Sequence, residues 1–345
     1  MNSSAAASSI ALLALVVPLV ALLAGWGAFA LWYQLPAQQP IKITTVALWG
    51  AFSCAVLLTL SRGRFVAPML AFGTAFMGLL VWWRRLLPSN NHRWADDVSR
   101  MATGAVQGDH VTLQNVRNFH WRTNLDYMQR WETRTYDLRN LSAVDLILSY
   151  WSYRAVAHVL ISFGFANGDH VVFSVEIRRR RDDKYSEIGG LFKEFGLSVI
   201  AADERDIIRV RTNVRGEDDY LYRIRLPETA KRSLFLAYVD QANELVSKPR
   251  FYNTLSVNCT TLVYHMMKHV VGYLPWDYRV LLSGYLPEYF YRVGALDVRY
   301  TLQELRAFGR ITDRAKQADR SDEFSIDIRR GVPPLEHLAP PPEAL

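Results

Sequence analysis

The stretch AHVLISFGFANGDHVVFSVEIR, residues 157–178, decides the fold. Two runs rich in β-branched and aromatic residues flank Ala166-Asn167-Gly168-Asp169, and Asn-Gly is the strongest short signal for a tight hairpin turn. Strands are expected over Arg154–Phe165 and His170–Arg178. With a tight turn, the numbers of cross-strand partners sum to about 334 or 335, which sets His158 opposite Glu176 or Ile177. The same-face choice is Glu176, its Cβ about 5 Å from that of His158. An imidazole on an apolar strand is either a satisfied core histidine or a base held by its carboxylate. His170, six residues further along, lies roughly 20 Å away and ranks below Glu176 as partner. A surface ion pair with Arg178 or Arg154 is the rival role for Glu176.

A second segment supplies a nucleophile. Val257-Asn258-Cys259-Thr260-Thr261 is a polar turn that gives way to the apolar run Leu262-Val263-Tyr264, so a helix is expected from near Asn258 to Gly272, where glycine supplies the C-terminal cap. A thiol at a helix N-terminus is biased toward thiolate by unpaired N–H groups and the dipole. The competing role for a lone cysteine is that of a small buried hydrophobe. A catalytic thiolate needs an imidazole, and the imidazole an orienting acceptor. His92 follows the membrane exit, and His337 stands in a Pro-rich tail. His265 and His269 share the cysteine's helix but point away from it, whereas His158 stands out among the eight histidines by lying within an apolar strand, flanked by Val156, Val159, Leu160 and Ile161. Asn258 is either a helix cap or an oxyanion donor. Thr260, Asn253 and Arg178 are further candidates for oxyanion or substrate contact, and Asn253 is the substitute acceptor for His158 should Glu176 face the other way. The Arg178–Arg181 run is a solvated strand end or a binder of lipid phosphates.

The first third is a membrane anchor. Ile10–Trp32, Ile43–Leu60 and Phe65–Trp83 are nearly uncharged runs of the length a bilayer requires, with Trp26, Trp32, Tyr33, Trp82 and Trp83 toward their ends. Ala28-Phe29-Ala30 resembles a signal-peptide cleavage site, but Met1–Ser9 has no Lys or Arg, so the first span is read as retained. Lys/Arg counts leave the orientation open. The two cysteines make no disulfide framework, and Cys54 is expected to be buried in its apolar run. The net charge of +7 suits a protein resting on anionic lipid. No zinc spacing, Walker loop or dinucleotide glycine pattern is present, so neither metal nor cofactor is expected, nor a nucleic-acid partner.

The remainder reads as a polar hinge over Pro88–Asp97, short strands in Gly108–Asp137, an apolar connector over Ser142–Tyr150, and the hairpin. A second antiparallel pair is expected from Ile207–Thr212 and Asp219–Leu226 around Arg215-Gly216-Glu217, then a helix over Pro227–Leu245. Gly331–Leu345, with five prolines, is expected to be a mobile tail.

Several ordered motifs then resemble one family. They are Val116-Arg117-Asn118-Phe119, Trp131-Glu132-x-Arg134-Thr135-Tyr136-Asp137-Leu138, Ala157-His158 with Ser162-Phe163-Gly164-Phe165, Ser174-Val175-Glu176-Ile177-Arg178, Asp203-Glu204-Arg205-Asp206, and Tyr252-Asn253-Thr254 with Asn258-Cys259-Thr260-Thr261. Together they resemble the Lnb N-terminal periplasmic domain family of bacterial membrane proteins, over roughly Asp109–Val271. The named member of that family is a lipoprotein N-acyltransferase, and its domain is similar to permuted papain-like folds of the NlpC/P60 kind. The resemblance implies His158 and Cys259 as a catalytic pair and a periplasmic domain. Three N-terminal spans and no large C-terminal membrane region set this chain apart and leave its acyl substrate open.

The expected protein is α+β. Three transmembrane helices (1–87) and a linker (88–107) precede a permuted papain-like domain with an antiparallel sheet (108–330) and the tail (331–345). It is expected in the bacterial inner membrane, with a membrane lipid or lipoprotein as substrate and acyl transfer through a thioester on Cys259. The alternatives are a cell-wall peptide amidase and a non-enzymatic membrane-tethered binding domain.

Overall fold

The computed structural model describes residues 3–335 and divides into two compact units, Met1–Ser89 with Ser186–Glu194, and Asn90–Tyr185 with Phe195–Leu345. In the first, α1 (Ser3–Gln34), α2 (Gln39–Ser61) and α3 (Val66–Arg85) are three successive apolar helices. Their candidate spans are Leu13–Gln34, Gln39–Ser61 and Val66–Arg85, each long and apolar enough to cross a bilayer. A small core of Val20, Val56, Leu60 and Phe72 joins them, while most of their apolar surface faces outward. Cys54 stands on that outer surface rather than being buried, because an apolar helix in lipid has no need to turn its apolar residues inward. The short helix α4 (Glu187–Leu191) belongs to this unit. Phe192, just past it, packs with Trp26, Phe29, Tyr33 and Trp83.

The second unit is built on an eight-stranded sheet in the order β1-β2-β9-β8-β7-β6-β10, with β5 added beside β2. Its strands are β1 (Thr103–Gln107), β2 (His110–Arg117), β5 (Trp131–Asp137), β6 (Leu141–Tyr150), β7 (His158–Phe165), β8 (His170–Arg178), β9 (Gly196–Ala202) and β10 (Asp218–Arg223); β3 (His120–Trp121) and β4 (Tyr127–Met128) form a separate small hairpin. The pairing is antiparallel except where β2 meets β9 at Arg117 and Ala202, so the sheet is mixed rather than wholly antiparallel. Helices cover both faces. The period-two alternation of strand side chains sends Val159, Ile161 and Phe163 to one face, against α6 (Glu228–Ser247), α7 (Thr261–Val271) and α8 (Leu286–Arg292). Leu160 and Val172 go to the other, with α5 (Glu204–Arg209), α10 (Thr312–Gln317) and α11 (Phe324–Asp327). The remaining helix, α9 (Leu302–Gly309), opens with a capping box at Thr301.

Four sequence expectations are corrected. Leu141–Tyr150 is no connector but an inner strand, whose near-continuous apolar run reflects burial on both faces. Ile207–Thr212 is not half of a hairpin: Asp203 caps the N-terminus of α5, and a π-helix follows over Val210–Arg215. The other half, β10, pairs with β6 instead. The expected linker is folded into the domain, with Ala95, Val98, Met101 and Ala102 buried and β1 beginning at Thr103. Strand β7 starts at His158, not Arg154, and 151–157 is a loop. Most of the expected tail, 336–345, lies outside the described residues; Val332, at its start, packs against the second core cluster.

Much of the motif set has a structural use. Asp206 accepts hydrogen bonds from Arg117 Nε (2.8 Å), the Phe119 amide (2.8 Å) and Trp121 Nε1 (2.7 Å). Buried Glu204 accepts from Ser162 Oγ at 2.5 Å and from Arg329, which also binds Asp145. A buried carboxylate left without such partners would carry a heavy desolvation cost.

Candidate active site

The Asn167-Gly168 turn closes as expected, with Gly168 at φ +91° and β7 paired to β8 through Leu160 with Ser174 and Ile161 with Phe173, sums of 334. Extended by two residues, this register sets His158 opposite Glu176. His158 Nε2 lies 3.0 Å from Glu176 Oε1 and 2.7 Å from Ser174 Oγ, while Ser174 Oγ donates to the same carboxylate oxygen at 2.7 Å. Ser174 was not singled out in the sequence; its place two residues before Glu176, on the same strand face, was the available signal. His170 sits beside the turn with Nδ1 2.9 Å from the Gly168 carbonyl, remote from His158.

Cys259 immediately precedes α7 in a turn whose shape is set by its neighbours. Asn258 Oδ1 accepts from the Thr260 and Thr261 amides, both at 2.9 Å, while its Nδ2 donates to the Thr254 carbonyl and its own amide donates to Thr261 Oγ1. Asn258 thus spends its carbonyl oxygen and one Nδ2 hydrogen on shaping the turn at the head of α7. Asn253 is likewise structural: its Oδ1 accepts from the Leu255 and Ser256 amides and from Ser256 Oγ, closing the turn that precedes the thiol. Arg178 is not a substrate contact either. It is buried, donates to the Val98 and Ser99 carbonyls and Asn90 Oδ1, and lies 4.5 Å from the Trp94 ring centroid. Burial without an acid partner lowers its pKa to about 10. Thr260 does reach the site, its Oγ1 3.8 Å from the sulfur.

The cysteine and histidine meet. The His158 side chain, the Val159 amide and Thr260 all act on the thiol to favour its charged form. Because Nε2 is occupied by Ser174 and Glu176, Nδ1 is the ring nitrogen that serves the thiol. Burial is the largest influence on His158 and opposes its charged form, but the Glu176 charge and the interactions with Cys259 and Glu176 together overcome it, and the pKa rises to about 9. Burial pushes the Cys259 thiol up, and its hydrogen bond to His158, the imidazolium charge and the Val159 amide more than reverse this, so its pKa is lowered. Displaced toward each other in this way, the two groups favour a thiolate–imidazolium pair. Among the described residues no hydrogen bond engages the Cys259 N–H, which leaves that amide for an oxyanion.

Behind Glu176 lies a buried polar row that the sequence did not disclose. Arg211, on the π-helix, donates to Glu176 Oε1 at 3.2 Å and to Glu217 Oε2 at 3.1 Å. Ser149, the cross-strand partner of His158, bonds both Glu217 and Asp219, the latter at 2.5 Å. One hydroxyl hydrogen cannot serve two carboxylates. A proton on Asp219 resolves this, and burial raises that group's pKa to about 7. Reading the π-helix as a strand hid Arg211. Among the described residues no group of three or more His, Cys, Asp or Glu is placed to hold a metal ion.

Next to Cys259, its neighbour Thr260 borders a small apolar cavity of about 20 Å³. Thr260 and Val159 line it with Val263, Tyr264 and Met267. Met267, Leu274, Tyr289 and Phe290 are shared with a cleft of about 700 Å³ along the far half of α7, where Val270, Val271 and Val293 also line the wall. His265 and His269 point to solvent on the opposite side of that helix.

Residues 127–284 match the model of the Lnb N-terminal periplasmic domain, bearing out the resemblance carried by the motifs. The matched stretch contains His158, Ser174, Glu176, Arg211 and Cys259. With three apolar helices ahead of it, the chain has the organisation of a membrane protein with a periplasmic domain. No curated protein and no solved structure matches the chain.

Proposed function

We propose that this Lnb-type domain is a thiol acyltransferase of the bacterial inner membrane, working on the acyl groups of lipids or lipoproteins. The observation that carries the reading is the chain Cys259–His158–Glu176, in which a half-buried thiol interacts with an imidazole whose Nε2 is held by a carboxylate. In the resting pair the thiol proton resides on His158. The Cys259 sulfur attacks the acyl carbonyl, and the Cys259 amide donates to the developing oxyanion. As the tetrahedral intermediate collapses, His158 gives its proton to the departing oxygen or nitrogen, leaving a thioester on Cys259. An amine acceptor then attacks the thioester while His158 takes its proton, and the acceptor leaves acylated with the thiol restored. Glu176 and Ser174 hold the ring throughout.

The largely apolar cleft along α7, close to the small cavity that Thr260 and Val159 line, favours an acyl chain over a cell-wall peptide, which would need polar partners along its backbone. Apolar walls also keep water from the thioester, which favours transfer over hydrolysis. Intact-mass measurement after incubation with phospholipid tests the reading. It expects an added acyl mass, released by hydroxylamine and absent from Cys259→Ser. An unmodified wild-type protein under conditions where its lipid-processing activity is measurable would exclude the thioester.

A further inference from the structure

Two loops next to the catalytic elements carry large aromatic side chains into solvent. Trp151 and Tyr153 stand out of the loop that leads into His158, with Tyr153 78% exposed. Beyond α7, Tyr273, Trp276, Tyr278 and Leu281 project from residues 272–285, with Trp276 66% exposed. The loops are bound to each other. The Ala157 amide donates to Ser283 Oγ at 2.9 Å, the Gly284 amide to the Ala155 carbonyl at 3.1 Å, and Tyr150 Oη to the Gly284 carbonyl at 2.7 Å. A Cβ on Gly284 would sit 1.9 Å from the Arg154 carbonyl oxygen, so only glycine permits this approach. The second loop is further braced by Tyr264 Oη and Tyr289 Oη, which donate to the carbonyls of Leu274 and Pro275. These exposed rings therefore sit on a fixed frame.

We propose that this aromatic surface is a docking patch that sets the domain into the headgroup layer of an anionic bilayer. Exposed apolar side chains gathered in one place mark an interaction surface, and Trp and Tyr rings suit the boundary between water and hydrocarbon. The charge is complementary. Arg154, Arg279 and Arg292 stand around the rings, against two acids, Glu288 and Asp277, and Asp277 is buried. One positive charge remains, worth about 1 kcal/mol near an anionic surface. Three candidate spans bring the chain to a bilayer in any case. Tyr273, Leu274 and Pro275 belong both to the loop and to the rim of the apolar cleft, so a chain leaving the lipid at this patch meets the cleft at once. Docking requires no chemistry at Cys259 and stands apart from the acyltransferase reading.

The test uses the full chain in proteoliposomes with its two cysteines removed (Cys54→Ala, Cys259→Ser). A nitroxide label is attached at Trp276→Cys, at Tyr153→Cys, or at Leu125→Cys, a 94% exposed position on the β3–β4 hairpin. With anionic lipid, labels at 276 and 153 should collide with oxygen far more than with a water-soluble nickel chelate, and the label at 125 should show the reverse. Exchanging anionic for zwitterionic lipid should raise chelate access at 276 and 153. Chelate access at 276 and 153 equal to that at 125 would overturn the proposal. So would shielding from both reagents, which means a protein covers the patch, and so would indifference to lipid charge.

Discussion

Neutralising Glu176 without changing its shape is the sharpest test of the site. The pKa of His158 stands at about 9 against an ordinary 6.5. At about 1.4 kcal/mol per pKa unit, that displacement represents on the order of 3 kcal/mol in favour of the imidazolium. The Glu176 carboxylate is the largest contribution in that direction. In Glu176→Gln the amide still reaches Nε2, but the charge is gone and the positive Arg211 beside it is no longer offset. Loss of an adjacent opposite charge lowers a raised pKa by about 1–3 units. Proton transfer from Cys259 to His158 weakens accordingly, its equilibrium constant falling by roughly 10- to 100-fold if one or two units are lost. The assay is the rate of iodoacetamide alkylation of Cys259 against pH, in a Cys54→Ala background. The expected profile moves to higher pH with an unchanged plateau. Superimposable profiles for Glu176→Gln and the parent, in folded protein, would refute the argument that this carboxylate poises the thiol.

Further outcomes are expected from the same geometry. Ser174→Ala removes one hydrogen bond to the ring, worth about 1 kcal/mol, and should slow acyl transfer about fivefold in kcat with the alkylation profile nearly intact. Arg211→Met strands Glu176 and Glu217 and should lower unfolding free energy by about 3–5 kcal/mol in urea titrations of the detergent-solubilised protein. For Asp219, whose folded pKa of about 7 exceeds its ordinary 3.8, the stability contribution is complete below pH 3.8 and is lost as pH rises through 7. Asp219→Asn should therefore flatten the fall in Tm across that window, as read by thermal scans at several pH values. Asn258→Ala uncaps α7 and should cost about 1 kcal/mol of stability. It should also slow alkylation of Cys259, because the turn that aims the sulfur is no longer held.

The sequence disclosed the candidate residues His158, Glu176 and Cys259 because their cues were local. An Asn-Gly turn fixes register by counting, and register alone brought His158 to Glu176. Apolar length alone marked the three spans. Arg211, by contrast, lies in Ile207-Ile208-Arg209-Val210-Arg211-Thr212, where β-branched residues mimic a strand; the helix is decided by the Asp203 cap and by burial of Ile207 and Ile208 against α10 and α11. Ser149 and Asp219 depend on which strand neighbours which, and no spacing within either strand reveals that β10 lies beside β6. Asn258 and Asn253 were legible as turn formers; only the geometry shows that the side-chain oxygen of each is spent on the turn before α7.

The buried tie between Arg329 and the pair Asp145 and Glu204 has a consequence for the order of folding. Its bonds join residues 184 and 125 positions apart. While the chain is being made, both carboxylates and the Ser162 hydroxyl on the histidine strand wait for a cation that is added long after them. The sheet's second face cannot close dry until it is. Contacts so distant in sequence form slowly and late, so the strand that carries His158 gains its full support only once the segment through Arg329 has been made.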